Sequence, residues 1–477
     1  MQDFISNYLK THEDYFKEVS AYIFNHPETR FEEYDSAAYL AAECEKQGFE
    51  VTRDVAGIET AFTATYGTGK PEIGFLGEFD ALSGLSQKPG ETSYQPMDRD
   101  IGHGCGHNLL GTGAFAAACA VKAYLEENDL PGTVTFFGCP GEEGGSGKTF
   151  MVREGVFDGV DAALTWHPSP VNAIMNYSTL ANYQVYFRFK GKSAHAASSP
   201  HLGRSALDAV ELMNTGVNYL REHVIPEARM HYAVTDSGGF SPNVVQANAE
   251  VLYLIRAPRV DQVDEIYKRI LKIADGAALM TETEVEVTFD KGCSNYIPNR
   301  HLEKLLHESL VQTGAGEASE AEKAFAEQIW NTLPESEQKN FIDPLISFGY
   351  RGDGSDFEGK HVAESISAYE TGEGILPGST DVADVSWVVP TAQLTSATAA
   401  LGTALHSWQM TSQGLSDFAH RGTLRAAQAM ALTGLDLFTS KENLDLVKSE
   451  FKAFRSKNDY INPIPDEVNP SPLNPQN

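Results

Sequence analysis

The sequence predicts an α/β protein: a mixed, mostly parallel sheet flanked by helices, interrupted by an inserted ferredoxin-like α+β unit. Three observations predict it. Short apolar runs at Glu72–Gly77, Thr133–Gly138 and Asp161–Trp166 alternate with helix-forming stretches, as in βα units. Polar residues able to bind a metal follow these runs, and open α/β sheets place their ligands at that edge. From about Leu180 the texture changes to period-two alternation in a β-α-β-β-α-β order, which is that of a ferredoxin-like unit. The expected organisation is a catalytic domain over 1–181 and 294–440, an inserted domain over 182–293, and a C-terminal extension over 441–477.

Residues 1–48 read as two amphipathic helices, with a proline start and first-turn acids at His26–Glu33. Gly48–Thr52 and Ala61–Tyr66 read as strands, the second closed by a Gly-Thr-Gly-Lys-Pro turn. Strand Glu72–Gly77 runs into Glu78-Phe79-Asp80-Ala81-Leu82. A glycine-rich turn, Gly102-His103-Gly104-Cys105-Gly106-His107-Asn108, precedes an alanine-rich helix over Ala114–Glu127. Strand Thr133–Gly138 leads to Cys139-Pro140-Gly141-Glu142-Glu143-Gly144-Gly145, and strand Asp161–Trp166 ends at His167.

In the inserted unit, strands at Tyr183–Lys190, Met230–Thr235, Glu250–Arg256 and Glu284–Asp290 surround helices at Ser205–His223 and Val260–Leu279. The catalytic sheet is expected to resume near Gly292–Asn299. Residues 313–372 are acidic and loop-rich. Within them, Gly352-Asp-Gly-Ser-Asp356 lacks the rest of a calcium loop and reads as a turn. A terminal helix over Ser416–Leu437 precedes a proline-rich tail expected to fray.

The chemistry suggested by these residues is metal-assisted. Cys105 and His107 offer a thiolate and an imidazole across one glycine, in a turn whose backbone leaves room for a ligand. Adjacent Glu142 and Glu143 repel one another. Two acids so held can divide their labour, one coordinating a cation while the other moves protons. Asp80 and His167 complete a recurrence of donors at successive strand ends.

Composition narrows the partners. A formal charge of −30 over 477 residues argues against nucleic acid and anionic membrane surfaces. Five scattered cysteines without a Cys-x-x-Cys pair suggest a reducing compartment and exclude a four-cysteine zinc module. Neither a basic leader with an apolar core nor a run of about 20 apolar residues is present, so a cytoplasmic protein without a membrane partner is expected.

Taken together, Glu-Phe-Asp-Ala-Leu, Gly-His-Gly-Cys-Gly-His-Asn, Pro-Gly-Glu-Glu-Gly-Gly, Lys-Ser-Ala-His-Ala and Leu-His-Ser resemble motifs of the aminoacylase/carboxypeptidase-G-like metallopeptidase superfamily. Within it they resemble the amidohydrolase branch that includes auxin-conjugate and hippurate hydrolases, and the resemblance runs from about His26 to Leu437. It implies two divalent metal ions, Mn²⁺ or Zn²⁺ with Co²⁺ and Ni²⁺ also suited. Cys105 is the implied bridging ligand, with His107, Glu143, His167 and His406 as the others. Glu142 is the implied general base, and Asp80 orients His107. The inserted unit is the implied lid and dimerisation module. Its His195 would reach a neighbouring subunit's site as a transition-state donor, and Asn243 and Arg256 would hold the substrate's carboxylate.

The implied reaction is hydrolysis of an amide whose leaving side is an amino acid, with p-aminobenzoyl-glutamate, a folate breakdown product, as the first substrate to expect. Another N-acyl-amino acid or a dipeptide is the nearest alternative. The implied assembly is a homodimer, or a heteromer with a related A subunit. Two readings from other classes stand beside this one: Cys105 as a nucleophile with His107 as its base, and a regulatory chain that binds without cutting. Where the branch has Glu-Asp-Phe, this chain has Thr380-Asp381-Val-Ala-Asp384, which leaves Asp381 and Asp384 without a role. His103 and Asn108 read as turn-forming or positioning residues, and His201 as surface or substrate rim.

Overall fold

The computed structural model describes residues 1–472 apart from Glu373. Its main sheet has seven strands, in the spatial order Glu50–Arg53, Phe62–Thr68, Gly132–Cys139, Glu72–Glu78, Ala162–Ser169, Thr391–Ala397 and Ala173–Ile174. The four strands from Gly132–Cys139 to Thr391–Ala397 run parallel, while the outer strands pair antiparallel. All eight residues of Gly132–Cys139 and all seven of Thr391–Ala397 are buried, as a parallel sheet covered on both faces requires.

One face is covered by helix His107–Glu127, whose first fifteen residues are all buried, and by helix Asp417–Thr439. Small residues bring this first helix close to the sheet: a Cβ on Gly111 would lie 2.6 Å from the carbonyl oxygen of Glu78. Large apolar side chains such as Phe75, Phe115, Phe136 and Trp166 close the core. Each contributes roughly 1.5–3 kcal/mol by burial.

The second sheet has four antiparallel strands in the order Arg229–Asp236, Asn248–Ala257, Ala181–Lys190 and Glu284–Cys293. Helices Ala206–Leu220 and Val260–Thr281 cover one face and build a separate core with Val185, Phe187 and Tyr253.

Several elements differ from the sequence reading. The amino-terminal region forms three helices, Gln2–Thr11, Glu13–Asn25 and Tyr34–Lys46, and His26–Glu33 is a loop that brings Arg30 and Glu33 inward. The glycine-rich segment is shorter than expected, because the helix begins at His107 rather than Ala114. His167 lies inside its strand, not after it. The catalytic sheet does not resume at 292–299: Gly292 and Cys293 end a strand of the second sheet, and the main sheet returns only at Thr391. Residues 313–372 contain helices Glu320–Trp330 and Glu335–Lys339, which help bury Ile329, Leu345 and Phe357.

The C-terminal extension contains an amphipathic helix, Lys441–Arg455. Beyond it the described tail is docked: Arg153 donates to the carbonyls of Pro465 and Val468, and Tyr460 donates to Asp384. The last five positions, 473–477, lie outside the described residues. Among the described residues no helix is long and apolar enough to cross a membrane.

Candidate metal centre

The carboxyl ends of the parallel strands converge on one cavity of about 480 Å³, whose lining includes Cys105, Glu142, Glu143, His167 and His406. Gly106 adopts a left-handed conformation (φ 79°) as the N-cap of helix His107–Glu127. A Cβ there would lie 2.9 Å from Met410 and 3.0 Å from Pro168, so glycine is needed for both backbone and packing reasons. This turn sets Cys105 and His107 at the mouth of the helix. His406, a non-glycine residue at φ 58°, is held by its N–H donating to the Gly104 carbonyl at 2.8 Å. Left-handed backbone at a histidine is uncommon and is seen where surrounding structure holds it.

The imidazoles are aimed by their partners. Nδ1 of His107 faces Asp80 Oδ1 at 2.9 Å, and Nδ1 of His167 faces the Pro168 carbonyl at 2.8 Å. Both acceptors call for a proton on Nδ1, which leaves each Nε2 with a lone pair. Nε2 of His107 is buried without a hydrogen-bond partner. Donor atoms of Cys105, His107 and His167 lie within 4.8 Å of one another, and so do those of Cys105, Glu143 and His406. Cys105 belongs to both groups. A buried orphaned imidazole nitrogen and two donor triplets sharing one sulfur fit divalent cations, and thiolate with imidazole favours Zn, Mn, Co or Ni over Mg or Ca.

The two adjacent glutamates differ. Burial, then the Glu78 and Glu143 carboxylates, push Glu142 well above the ordinary carboxylate range. Glu143 also meets a burial cost, but the His406 hydrogen bond and the nearby His107 hold it down at about 2. The turn carrying them is fixed from three sides. Glu143 N–H donates to Asp80 Oδ2 at 2.7 Å, Gly141 N–H donates to buried Glu33 at 2.8 Å, and Arg30 donates to the Gly144 carbonyl. Arg30 also forms a buried ion pair with Asp290 at 3.0 Å, tying this turn to the last strand of the second sheet. Burial pushes the Cys105 thiol up, and Glu143 adds to that. His107 is raised in spite of its burial, by Cys105 and Asp80.

Arg256 lines the same cavity, with its Nε unpartnered and Nη1 3.3 Å from the Pro377 carbonyl. His195 and Asn243 do not line it. They lie beside one another on exposed loops of the second sheet's domain, where Ala196 N–H donates to the Asn243 carbonyl at 2.9 Å and His195 bridges to Val244. His103 and Asn108 face away from the donors: His103 Nε2 meets the Ile23 carbonyl at 3.1 Å, and Asn108 donates to Ser20 and the Gly414 carbonyl. Burial, with His107 close by, holds His103 down at about 3. His201 is exposed.

Sequence reasoning missed a buried charge network behind the donors. The Lys148 ammonium lies 2.6 Å from Glu78 Oε1 and 2.5 Å from Asp381 Oδ1, and Glu78 Oε2 lies 3.4 Å from His107 Nε2. All three side chains are at most 3% exposed. Asp384, also fully buried, accepts from Thr149, Ser294 and Tyr460. The available signal was the lysine directly after Gly-Gly-Ser-Gly, a polar residue where the chain turns back into the core.

A sheet edge that gathers a thiol, imidazoles and carboxylates within ligating distance of one another suits a metal-dependent hydrolase. The chain is a member of one such group, peptidase family M20/M25/M40, whose model matches residues 74–329. It is 53% identical over 98% of its length to a p-aminobenzoyl-glutamate hydrolase subunit of Escherichia coli, covering 98% of that protein. It is 28% identical to the Xaa-Arg dipeptidase of Homo sapiens, over 94% of this chain and 91% of that one. Two solved structures share the fold. An aminobenzoyl-glutamate utilization protein from Klebsiella pneumoniae superposes with a TM-score of 0.55 at 16% identity, covering 87% of this chain and 98% of that one. A dinuclear metal-binding M20 peptidase from Bacillus subtilis gives 0.54 at 15%, covering 90% and 99%.

Proposed function

We propose that this metal-dependent hydrolase cleaves p-aminobenzoyl-glutamate to p-aminobenzoate and glutamate. The observation that carries the reading is Cys105 shared between two donor triplets, in one cavity with Glu142 and the unneutralised Arg256. The relative at 53% identity supports the choice of substrate. The cavity also offers apolar surface at Met175, Phe348, Leu376 and Leu405, suited to an aryl group.

Cys105, His107 and His167 would hold one ion, and Cys105, Glu143 and His406 the other, as Mn²⁺ or Zn²⁺. Such ions supply a water of lowered pKa and polarise the amide carbonyl. Arg256 orients the substrate by its carboxylate, as a guanidinium's paired donors allow. Glu142, which its surroundings make a stronger base than an ordinary carboxylate, starts ionised, takes the proton of the attacking water and returns it to the leaving nitrogen as the C–N bond breaks. Asp80 keeps the His107 ring in place.

His195 and Asn243, exposed together on loops beyond the strand ends of the second sheet, would serve a neighbouring subunit's site in a homodimer. Exposed apolar side chains on the same domain, Val234, Phe240 and Val244, support an interface on it. The similarity to a protein named as one subunit of a hydrolase makes a heteromer with a related A subunit the second reading of the assembly. The expected setting is cytoplasmic.

The test is hydrolysis of p-aminobenzoyl-glutamate by purified protein, stripped with chelator and reloaded separately with Mn²⁺ and Zn²⁺. Metal-restored cleavage is the expected result, with loss of about 10²–10⁴-fold in Glu142→Gln at unchanged metal content. Activity surviving complete metal removal would return Cys105 to the role of nucleophile. No cleavage by fully loaded protein would move the reading to another acyl-amino acid or to a required partner.

A further inference from the structure

We propose that Lys291, flanked by Asn182 and Gln184, forms a second anion subsite that reads the side-chain carboxylate of an acidic leaving amino acid, while Arg256 takes its main-chain carboxylate. The inference rests on the amide hydrolysis proposed above and names what that site selects.

Strand register places these side chains together. Asn182 pairs with Arg256 on one side and Cys293 on the other, and Gln184 pairs with Leu254 and Lys291. Residues two apart on a strand share a face, so these six side chains form two rows on one face of the second sheet. The opposite face, carrying Tyr183 and Val185, is buried under the two helices. All six residues line the cavity that contains Glu142, Glu143 and His167. The pairing slips between Gln184 and Val185, leaving Asp290 as an extra residue in its strand. Asp290 engages Arg30, and Lys291 faces the cavity. Bulges that re-aim a side chain in this way recur next to active sites.

Lys291 is 8% exposed, yet its ammonium makes no ion pair or side-chain hydrogen bond among the described residues. The protein's other deeply buried lysine, Lys148, is neutralised by two carboxylates. The side chain is packed while its ammonium opens on the cavity without a counter-charge, although a chain of net charge −30 has acids enough to supply one. Around it other polar atoms are also left open: Asn182 Oδ1 and Arg256 Nε are buried and unpartnered. Asn182 is held in place by its Nδ2 donating to Cys293 Sγ at 3.0 Å, and Gln184 by its Nε2 donating to Asp290 at 2.7 Å. Arg256 and Lys291 therefore stand on opposite sides of the Asn182–Gln184 strand, roughly 10 Å apart across the sheet and two residues apart along it. Two separated cations suit a ligand with two carboxylates. A leaving amino acid with a single carboxylate would leave one of them without a counter-charge.

The experiment compares p-aminobenzoyl-L-glutamate with p-aminobenzoyl-L-glutamine, which differ in one charge at nearly constant shape. The wild-type protein is expected to prefer the glutamate compound by about 10- to 100-fold in kcat/KM, chiefly through KM, as loss of a charged hydrogen bond implies. Lys291→Met should bring the two substrates to near parity, and Lys291→Arg should keep the preference. A binding arm separates this subsite from the proposed reaction. N-benzoyl-L-glutamate and N-benzoyl-L-glutamine are titrated calorimetrically into metal-loaded Glu142→Gln protein, with and without Lys291→Met. If neither p-aminobenzoyl compound is cleaved but the binding preference is present and needs Lys291, the substrate assignment falls and the subsite stands. Equal binding of the two benzoyl compounds by the Glu142→Gln protein with Lys291 intact would overturn the subsite, with no Lys291 variant required to fold. A preference that persists undiminished in Lys291→Met would overturn it as well.

Discussion

Lys148→Met tests the buried network behind the metal donors. The ammonium sits 2.6 Å from Glu78 and 2.5 Å from Asp381, with all three groups out of water. Removing it leaves two carboxylates buried without their cation. Breaking a buried pair from one side costs about 3–5 kcal/mol. At about 2.1 cal/mol/K per residue of unfolding entropy, a chain of 477 residues shifts its Tm by roughly 1 °C per kcal/mol, so a fall of about 3–5 °C is expected.

The effect should depend on pH, with a definite sign. Burial raises the Asp381 carboxyl to about 6 although Lys148 opposes it and Glu78 adds to it. A carboxyl raised on folding contributes stability that is fully present below its unfolded value and is lost as pH rises through its folded value. Without Lys148 the folded value climbs further, so the deficit of the variant should be smaller at pH 5 than at pH 8. Differential scanning calorimetry of both proteins at the two pH values is the assay. A Tm change below 1 °C, or a deficit equal at both pH values, would refute the argument that Lys148 holds these acids in the core.

Three further outcomes follow from the same geometry. Asp80→Asn weakens the partner of His107 Nδ1 and of the Glu143 N–H, so metal affinity measured by chelator competition should fall about 10- to 100-fold; unchanged affinity would remove Asp80 from that role. Cys105→Ala takes a donor from both triplets, and elemental analysis should find fewer than two ions per chain; full occupancy would disprove a shared sulfur. Glu303, raised to about 7 chiefly by burial despite Arg300 and Tyr369, should cost stability as pH rises from about 4.5 through 7. Glu303→Gln should flatten that slope by up to about 3 kcal/mol, and a thermal-denaturation series with the same slope in both proteins would contradict it.

Much of the scaffold was legible because its signals are local. Apolar runs bounded by glycine and polar residues marked the parallel strands, and period-two alternation marked the second sheet. Cys105, His107, Glu143 and His167 could be marked as candidate donors because the sequence sets each next to a buried segment where a polar residue needs a reason, and the fold brings their donor atoms together. Boundaries were less legible. His107 belongs to the helix rather than the turn, since Gly106 alone supplies the left-handed cap. The helix at Lys441–Arg455 was overlooked in a stretch that reads as a polar, proline-rich tail.

What the sequence by itself determined was the inventory: which residue types end which strands, and where one sheet gives way to another. The tertiary structure alone decided which distant groups meet. Lys148 and Asp381 are 233 positions apart, and Glu143 and His406 are 263 apart. Arg256 and Lys291 enter the metal cavity only through the register of three neighbouring strands. The reason is physical. Hydrophobic periodicity is written along the chain and acts over a few residues, whereas neutralising a buried charge or sharing a ligand depends on distance in space. That distance is set only when the two sheets and their helices have packed.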